Sequence, residues 1–304
     1  MIRKLLLALV TLLPVLPAAA ADSRSSGSVL APQDSQYPEK IVLYTVEPNG
    51  KERLKTPVAR YKDKAGRIVD LVGAVHLGNA AYYQKLNRAF ARYDKVLYEM
   101  VDGEDLPEIT RISRKVAAGT ATPEEMQRFQ QHIKNQQERG GAANLLGTYY
   151  AYMAEMMQLS LQSEVIDYGR TNLVYADMSM QEFSAAMEAR GESWVTLVWD
   201  SVRDGSFSGS GGGLTSSSPE SLRRQVSKML AAQASSSRSE QRAIIVSRNE
   251  RCFEVLDNLL QSDPEARRVA IFYGAMHLRD MHKRLLERGF ELQGVQWVTA
   301  IAVN

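Results

Sequence analysis

The chain has 304 residues, 44% hydrophobic and 24% charged, a balance that suits a sizeable globular domain with a proper core. Lys plus Arg number 37 against 35 Asp plus Glu, so there is no electrostatic footprint for nucleic acid. A single cysteine, Cys252, excludes an intramolecular disulfide, and its helical neighbours Phe253, Leu256 and Leu259 mark a packed thiol and not a reactive one.

Residues 1–21 read as a secretory signal peptide. Arg3 and Lys4 form a positive start, Leu5 to Leu16 an apolar run broken by Pro14, and Ala19-Ala20-Ala21 a small-residue cleavage site. The run is too short and proline-broken to span a bilayer. No transmembrane span is expected in the mature chain, and the expected location is periplasmic or secreted. Residues 22–39, rich in Ser, Asp, Pro and Gln, read as a flexible linker to a single domain over 40–304.

Within that domain Ile41 to Val46 is a candidate strand, and Val58 to Lys62 pairs with Arg67 to Val72 about a turn at Asp63-Lys64-Ala65-Gly66. The buried-strand pattern then breaks into Gly73-Ala74-Val75-His76. Ala80 to Arg92 is an amphipathic helix, with Tyr83, Leu86 and Phe90 on one face. Lys95 to Val101 is a strand carrying Glu99, which completes a β-α-β unit with a right-handed crossover. A helical insertion is expected over about 107–236. Thr122-Pro123-Glu124-Glu125 is a capping box that opens a polar helix with a solvated His132. Residues 142–160 carry Tyr149, Tyr150, Tyr152, Met153, Met156 and Met157, either as a helix packed on the core or as an adaptable apolar surface. Asn172 to Asp177 is a short strand, Met180 to Trp199 a helix, residues 205–217 a Gly/Ser-rich break, and Ser218 the cap of a helix running to about 234. Ser247 is a candidate cap for the helix carrying Arg248 and Asn249, which ends at Asp263-Pro264. A second unit follows: strand 268–273, Gly274-Ala275-Met276-His277, helix 279–288, and closing strands from Phe290 to Val303.

Two of the chain's four histidines thus sit at equivalent points of Gly-Ala-Val-His-Leu and Gly-Ala-Met-His-Leu, which agree at four positions in five. The expected fold is α/β, a mixed central sheet built from two related β-α-β halves, each with a Gly-x-x-His motif, plus the helical insertion. In such sheets functional groups gather beyond the carboxyl ends of the strands. His76, His277 and Glu99 are the ligand types that hold a divalent transition metal with an open position. Arg248 is a candidate cation for an oxyanion, Asn249 a neutral donor beside it, and Asp177 either a further carboxylate or a helix cap. The His-Glu-x-x-His pattern of zinc proteases is absent, because His282 stands five residues after His277.

Gly73-Ala74-Val75-His76, Tyr98-Glu99, Tyr175-Ala176-Asp177, Ser247-Arg248-Asn249 and Gly274-Ala275-Met276-His277 occur in this order over about residues 65–290. In this the chain resembles the TraB/PrgY/GumN-like family of the TIKI and erythromycin-esterase-like superfamily. The resemblance implies a metal-dependent hydrolase, most readily a peptidase with manganese or cobalt, to which the ligand types add zinc. It further implies His76 and His277 as metal ligands, Glu99 as ligand or base, and Arg248 as electrostatic support. The region from Trp194 to Ser236 departs from any pattern of that family, which leaves the peptide or small-molecule substrate open. Two other readings stand beside the hydrolase: a haem- or peptide-binding protein using the same cleft, and a degenerate member that binds a partner through the 149–157 helix. Sequence gives no oligomeric state.

Overall fold

A computed structural model describes residues 36–138, 142–192, 218–234 and 243–303. The expected signal peptide, most of the linker, the end of the helix from Met180 and the Gly/Ser-rich break lie outside the described residues.

The strands are β1 (Leu43–Val46), β2 (Glu52–Lys62), β3 (Ile68–Ala74), β4 (Leu77–Gly78), β5 (Lys95–Tyr98), β6 (Ser160–Leu161), β7 (Leu173–Tyr175), β8 (Arg268–Gly274) and β9 (Glu291–Val303). The helices are α1 (Ala80–Phe90), α2 (Leu106–Ala117), α3 (Pro123–Glu138), α4 (Ala142–Met157), α5 (Gln162–Val165), α6 (Met180–Ala189), α7 (Pro219–Gln233), α8 (Ala243–Ser262) and α9 (Leu278–Glu287). The fold is α/β with a mixed central sheet. β2 carries β9 antiparallel along one edge, and β1 and then β3 along the other. Beyond β3 the sheet is parallel, in the order β3-β8-β5-β7. The strand following α1 therefore does not lie beside β3; β8, from the far end of the sequence, takes that place.

The central strands read as unbroken apolar runs because both faces are covered. Val69, Leu71, Val269, Ile271 and Tyr273 face Cys252, Phe253 and Leu256 of α8 and Met281 and Leu285 of α9. Val72, Val96, Tyr98, Ala270 and Phe272 face Tyr82, Tyr83, Leu86 and Phe90 of α1. Each large apolar side chain so buried contributes roughly 1.5–3 kcal/mol. One charge interrupts the pattern: Asp70 is fully buried in β3, where Arg60 reaches it at 2.8 and 2.7 Å and Tyr93 at 2.6 Å. A buried carboxylate persists only with such partners.

Several expectations change in detail. The expected strand at 95–101 ends at Tyr98, and that at 172–177 spans only Leu173–Tyr175. Ser247 lies inside α8, because 243–246 forms the helix's first turn and not a separate apolar segment. The closing strands are one strand, β9, whose register against β2 shifts twice. The stretch expected as a helical insertion also supplies β7, the outer strand beside β5. The capping box at Thr122 forms, with Glu125 N–H donating to Thr122 Oγ1 at 3.2 Å and Thr122 N–H to Glu125 Oε2 at 3.0 Å. Ser218 caps α7 by accepting from Ser221 N–H. His132 is half-buried in a shallow cleft with Asp105, Ile109 and Arg128, and not fully solvated. Among the described residues no helix is long and apolar enough to cross a membrane.

Candidate functional site

The parallel register brings the ends of four strands level. Ala74 lies opposite Gly274, Phe272 opposite Tyr98, and Tyr98 opposite Tyr175. The residues just past those ends are His76, Glu99, Asp177 and His277, so one sheet edge collects all four. α8, packed against the segment carrying His277, adds Arg248 and Asn249.

The need for glycine at positions 73 and 274 is one of space. Neither Gly73 nor Gly274 takes a left-handed backbone; Gly274 has φ −52°. What each supplies is a missing Cβ. At Gly274 that atom would lie 3.3 Å from Glu99 Oε2, which instead accepts the Gly274 N–H. At Gly73 it would lie 3.0 Å from both Leu278 Cδ2 and Pro57 Cδ.

Glu99 sits at the centre. Besides the Gly274 N–H, its Oε1 takes Arg248 Nη2 at 2.8 Å and stands 3.5 Å from His277 Nε2. Burial alone raises its carboxyl pKa, but the Arg248 guanidinium, the two histidines and the Gly274 N–H outweigh burial and hold it at about 2. Glu99 is thus an ionised carboxylate at any physiological pH. Asp102 turns the chain just after it with φ 54°, and its carboxylate accepts Met180 N–H at the start of α6 at 2.8 Å. This ties the Glu99 loop to the loop that carries Asp177.

Arg248 is buried and bidentate on Asp177, through Nε at 2.9 Å and Nη2 at 2.5 Å. Asp177 also accepts Met178 N–H at 2.8 Å, but the cap of α6 is Ser179, in a capping box with Glu182. Asp177 is therefore the clamp on Arg248 and not a helix cap. With two carboxylates to one guanidinium the buried group carries a net negative charge. Arg248, expected as support for an oxyanion, spends Nε and Nη2 on those carboxylates.

His277 is fully oriented. Asn249 Nδ2 donates to His277 O at 3.2 Å and to Asp280 Oδ2 at 2.8 Å, and Asn249 Oδ1 faces His277 Nδ1 at 2.6 Å. Reversing the amide would set its oxygen against two acceptors, so Oδ1 must accept and Nδ1 must carry the proton. Asn249, expected as a donor to a reacting oxygen, instead fixes the tautomer of His277. Burial then lowers the imidazole pKa, with the Glu99 charge opposing and Arg248 adding, to about 4. At neutral pH His277 Nε2 is bare and looks at the ionised Glu99 Oε1. Two acceptors face each other with no proton between them.

His76 is held differently. It is solvent-exposed, and no hydrogen bond reaches its ring from the described residues. Its ring meets that of Tyr150 on α4, centroids 5.4 Å apart. Surrounding protein lowers its imidazole pKa, though solvent at the open side weakens that constraint, and Glu99 pulls the other way. Tyr150 and Tyr168, which the Glu99 charge also reaches, were not marked as site residues by their sequence context. Tyrosines in an apolar helix or strand read as core, and nothing local separates the two roles.

As a metal centre the group is half built. Among the described residues no three of His, Cys, Asp and Glu stand together closely enough to hold a metal ion. Two donors do fit: ligands on a tetrahedral ion with bonds of about 2.0–2.2 Å lie roughly 3.3–3.6 Å apart, and His277 Nε2 and Glu99 Oε1 are 3.5 Å apart. Asn249 on the remote nitrogen is the support that a metal-ligating histidine requires. Comparison with protein-family models, with curated proteins and with solved structures found no match.

Proposed function

We propose that this cleft is the catalytic centre of a metal-dependent hydrolase, a peptidase by preference, acting outside the cytoplasm. In this reading the two Gly-x-x-His turns are the ends of two related β-α-β halves. His277 and Glu99, with His76 at the open side, would hold a divalent transition metal (manganese, cobalt or zinc). The observation that carries the reading is geometric: His277 Nε2 stands 3.5 Å from Glu99 Oε1 while Asn249 holds the far ring nitrogen. Burial lowering the imidazole pKa and Arg248 lowering that of Glu99 both favour a pair short of a proton. Such a pair is stabilised by a cation placed between its members. A metal bound there supplies a Lewis acid for a carbonyl at neutral pH.

The chain's own groups have separate tasks. Asn249 keeps the Nε2 lone pair of His277 aimed at the cleft. Arg248, clamped by Asp177, keeps Glu99 ionised and fixed. Gly274 N–H anchors the other Glu99 oxygen. The peptide amide as substrate follows from the family resemblance, and export from Arg3, Lys4, Leu5 to Leu16 and Ala19-Ala20-Ala21.

Metal content after loading with manganese, cobalt or zinc, measured beside cleavage of a peptide mixture, tests the proposal in wild type, His76→Ala and His277→Ala. Loss of both metal and cleavage in each variant is expected. Full retention in either removes the mechanism. A second reading, haem or an apolar peptide seated against the exposed His76 ring and Tyr150, is favoured by that ring pair. A Soret band on adding haem, lost in His76→Ala, selects it.

A further inference from the structure

The two histidines, alike in sequence, are unlike in support, and the difference assigns a role to α4. His277 has Asn249; His76 has no hydrogen-bonding orienter among the described residues, only the ring of Tyr150, tilted against it with centroids 5.4 Å apart. The same helix grips the rest of the His76 turn. Tyr150, Met153 and Met157 share one helix face, and Met153 and Met157 pack with Leu77, the residue after His76. Just past α4, β6 pairs with β4, and Gln162 N–H donates to His76 O at 2.9 Å. Ring, neighbouring side chain and backbone of this turn are thus all held by one segment far along the chain.

We propose that Tyr150 is the positioning residue for His76: its ring sets the imidazole's orientation, so the open side of the site is completed only when α4 is docked. This rests on the metal-site reading for its consequence, but not for the ring contact itself. A phenylalanine keeps the ring beside the imidazole, whereas an aliphatic side chain fills the space without an aromatic ring or its ring current.

The test uses the full chain with His76 assigned by comparison with His76→Gln. Imidazole carbon–proton spectra are recorded for wild type, Tyr150→Phe, Tyr150→Leu and Tyr150→Met, and each protein is titrated with Mn²⁺. The ring-current displacement of the His76 resonances is expected to persist in Phe and to vanish in Leu and Met, with His277 unmoved. Mn²⁺ affinity is expected to be retained in Phe and to fall by about tenfold in the aliphatic variants, the usual scale for losing an orienting partner. Unchanged His76 resonances in Leu or Met, or identical behaviour of Phe and Leu, overturns the proposal. Should wild type bind no Mn²⁺, the metal reading falls while the resonances still decide the role of Tyr150.

Discussion

Replacing Asn249 with alanine removes three hydrogen bonds from a side chain that is fully buried. Asp280 keeps Arg284, whose Nε lies 2.6 Å away, so its carboxylate is not abandoned. The main cost falls on His277 Nδ1–H, left in the interior without an acceptor. An orphaned buried donor costs about 1–3 kcal/mol, and the small space left behind adds to it. A loss of roughly 2–3 kcal/mol is expected, which for a domain of this size lowers Tm by roughly 4–12 °C. The imidazole has one escape: moving its proton to Nε2, where Glu99 Oε1 waits 3.5 Å away. Urea unfolding measures the first effect, and nitrogen-15 spectra of the imidazole report the second. A midpoint change worth less than about 0.5 kcal/mol, on the scale of neutral surface substitutions, with His277 still protonated at Nδ1, refutes the assigned geometry.

Stability also depends on pH in a defined direction. The His277 pKa is about 4 in the fold against an ordinary 6.5, so the unfolded chain binds its proton first. Its contribution is complete above pH 6.5 and is lost as pH falls to about 4, a change of about 3 kcal/mol by linkage. Glu99, lowered from 4.5 to about 2, extends the loss across that lower window. Urea midpoints recorded in chelator from pH 7 to 4 are expected to fall, and His277→Gln flattens the upper part. Arg248→Met leaves Asp177 and Glu99 buried without their cation; a loss of roughly 3–5 kcal/mol is expected in the same assay, and a loss under 1 kcal/mol denies the clamp. Gly73→Ala forces a Cβ to 3.0 Å from Leu278 Cδ2 and Pro57 Cδ, expected to cost about 1–3 kcal/mol in thermal unfolding; a neutral result means that β2 and α9 yield at that point.

Much of the site was legible because strand ends are. The runs ending at Ala74, Tyr98, Tyr175 and Gly274 announce buried parallel strands, and the polar residues just beyond them land together by register. The order of those strands was not legible, since β8 enters between β3 and β5 from two hundred residues away on the strength of nonlocal packing alone. Roles were harder than positions. Asn249 and Arg248 were readable as polar helix residues, but only the fold shows that His277 and Asp177 use up their hydrogen bonds. Gly274 was readable as a break, yet its reason is the Glu99 oxygen where a Cβ would stand. Asp70 was passed over inside its apolar run, because its partners Arg60 and Tyr93 come from other elements.

The pair of facing acceptors is tested most directly by diffraction from crystals soaked in Mn²⁺, recorded with anomalous signal. The expected map holds a peak between His277 Nε2 and Glu99 Oε1, about 2.1–2.2 Å from each, with the His76 ring turned toward it. A map without a peak there, together with a bridging proton on His277 Nε2 at neutral pH, contradicts the proposed metal centre.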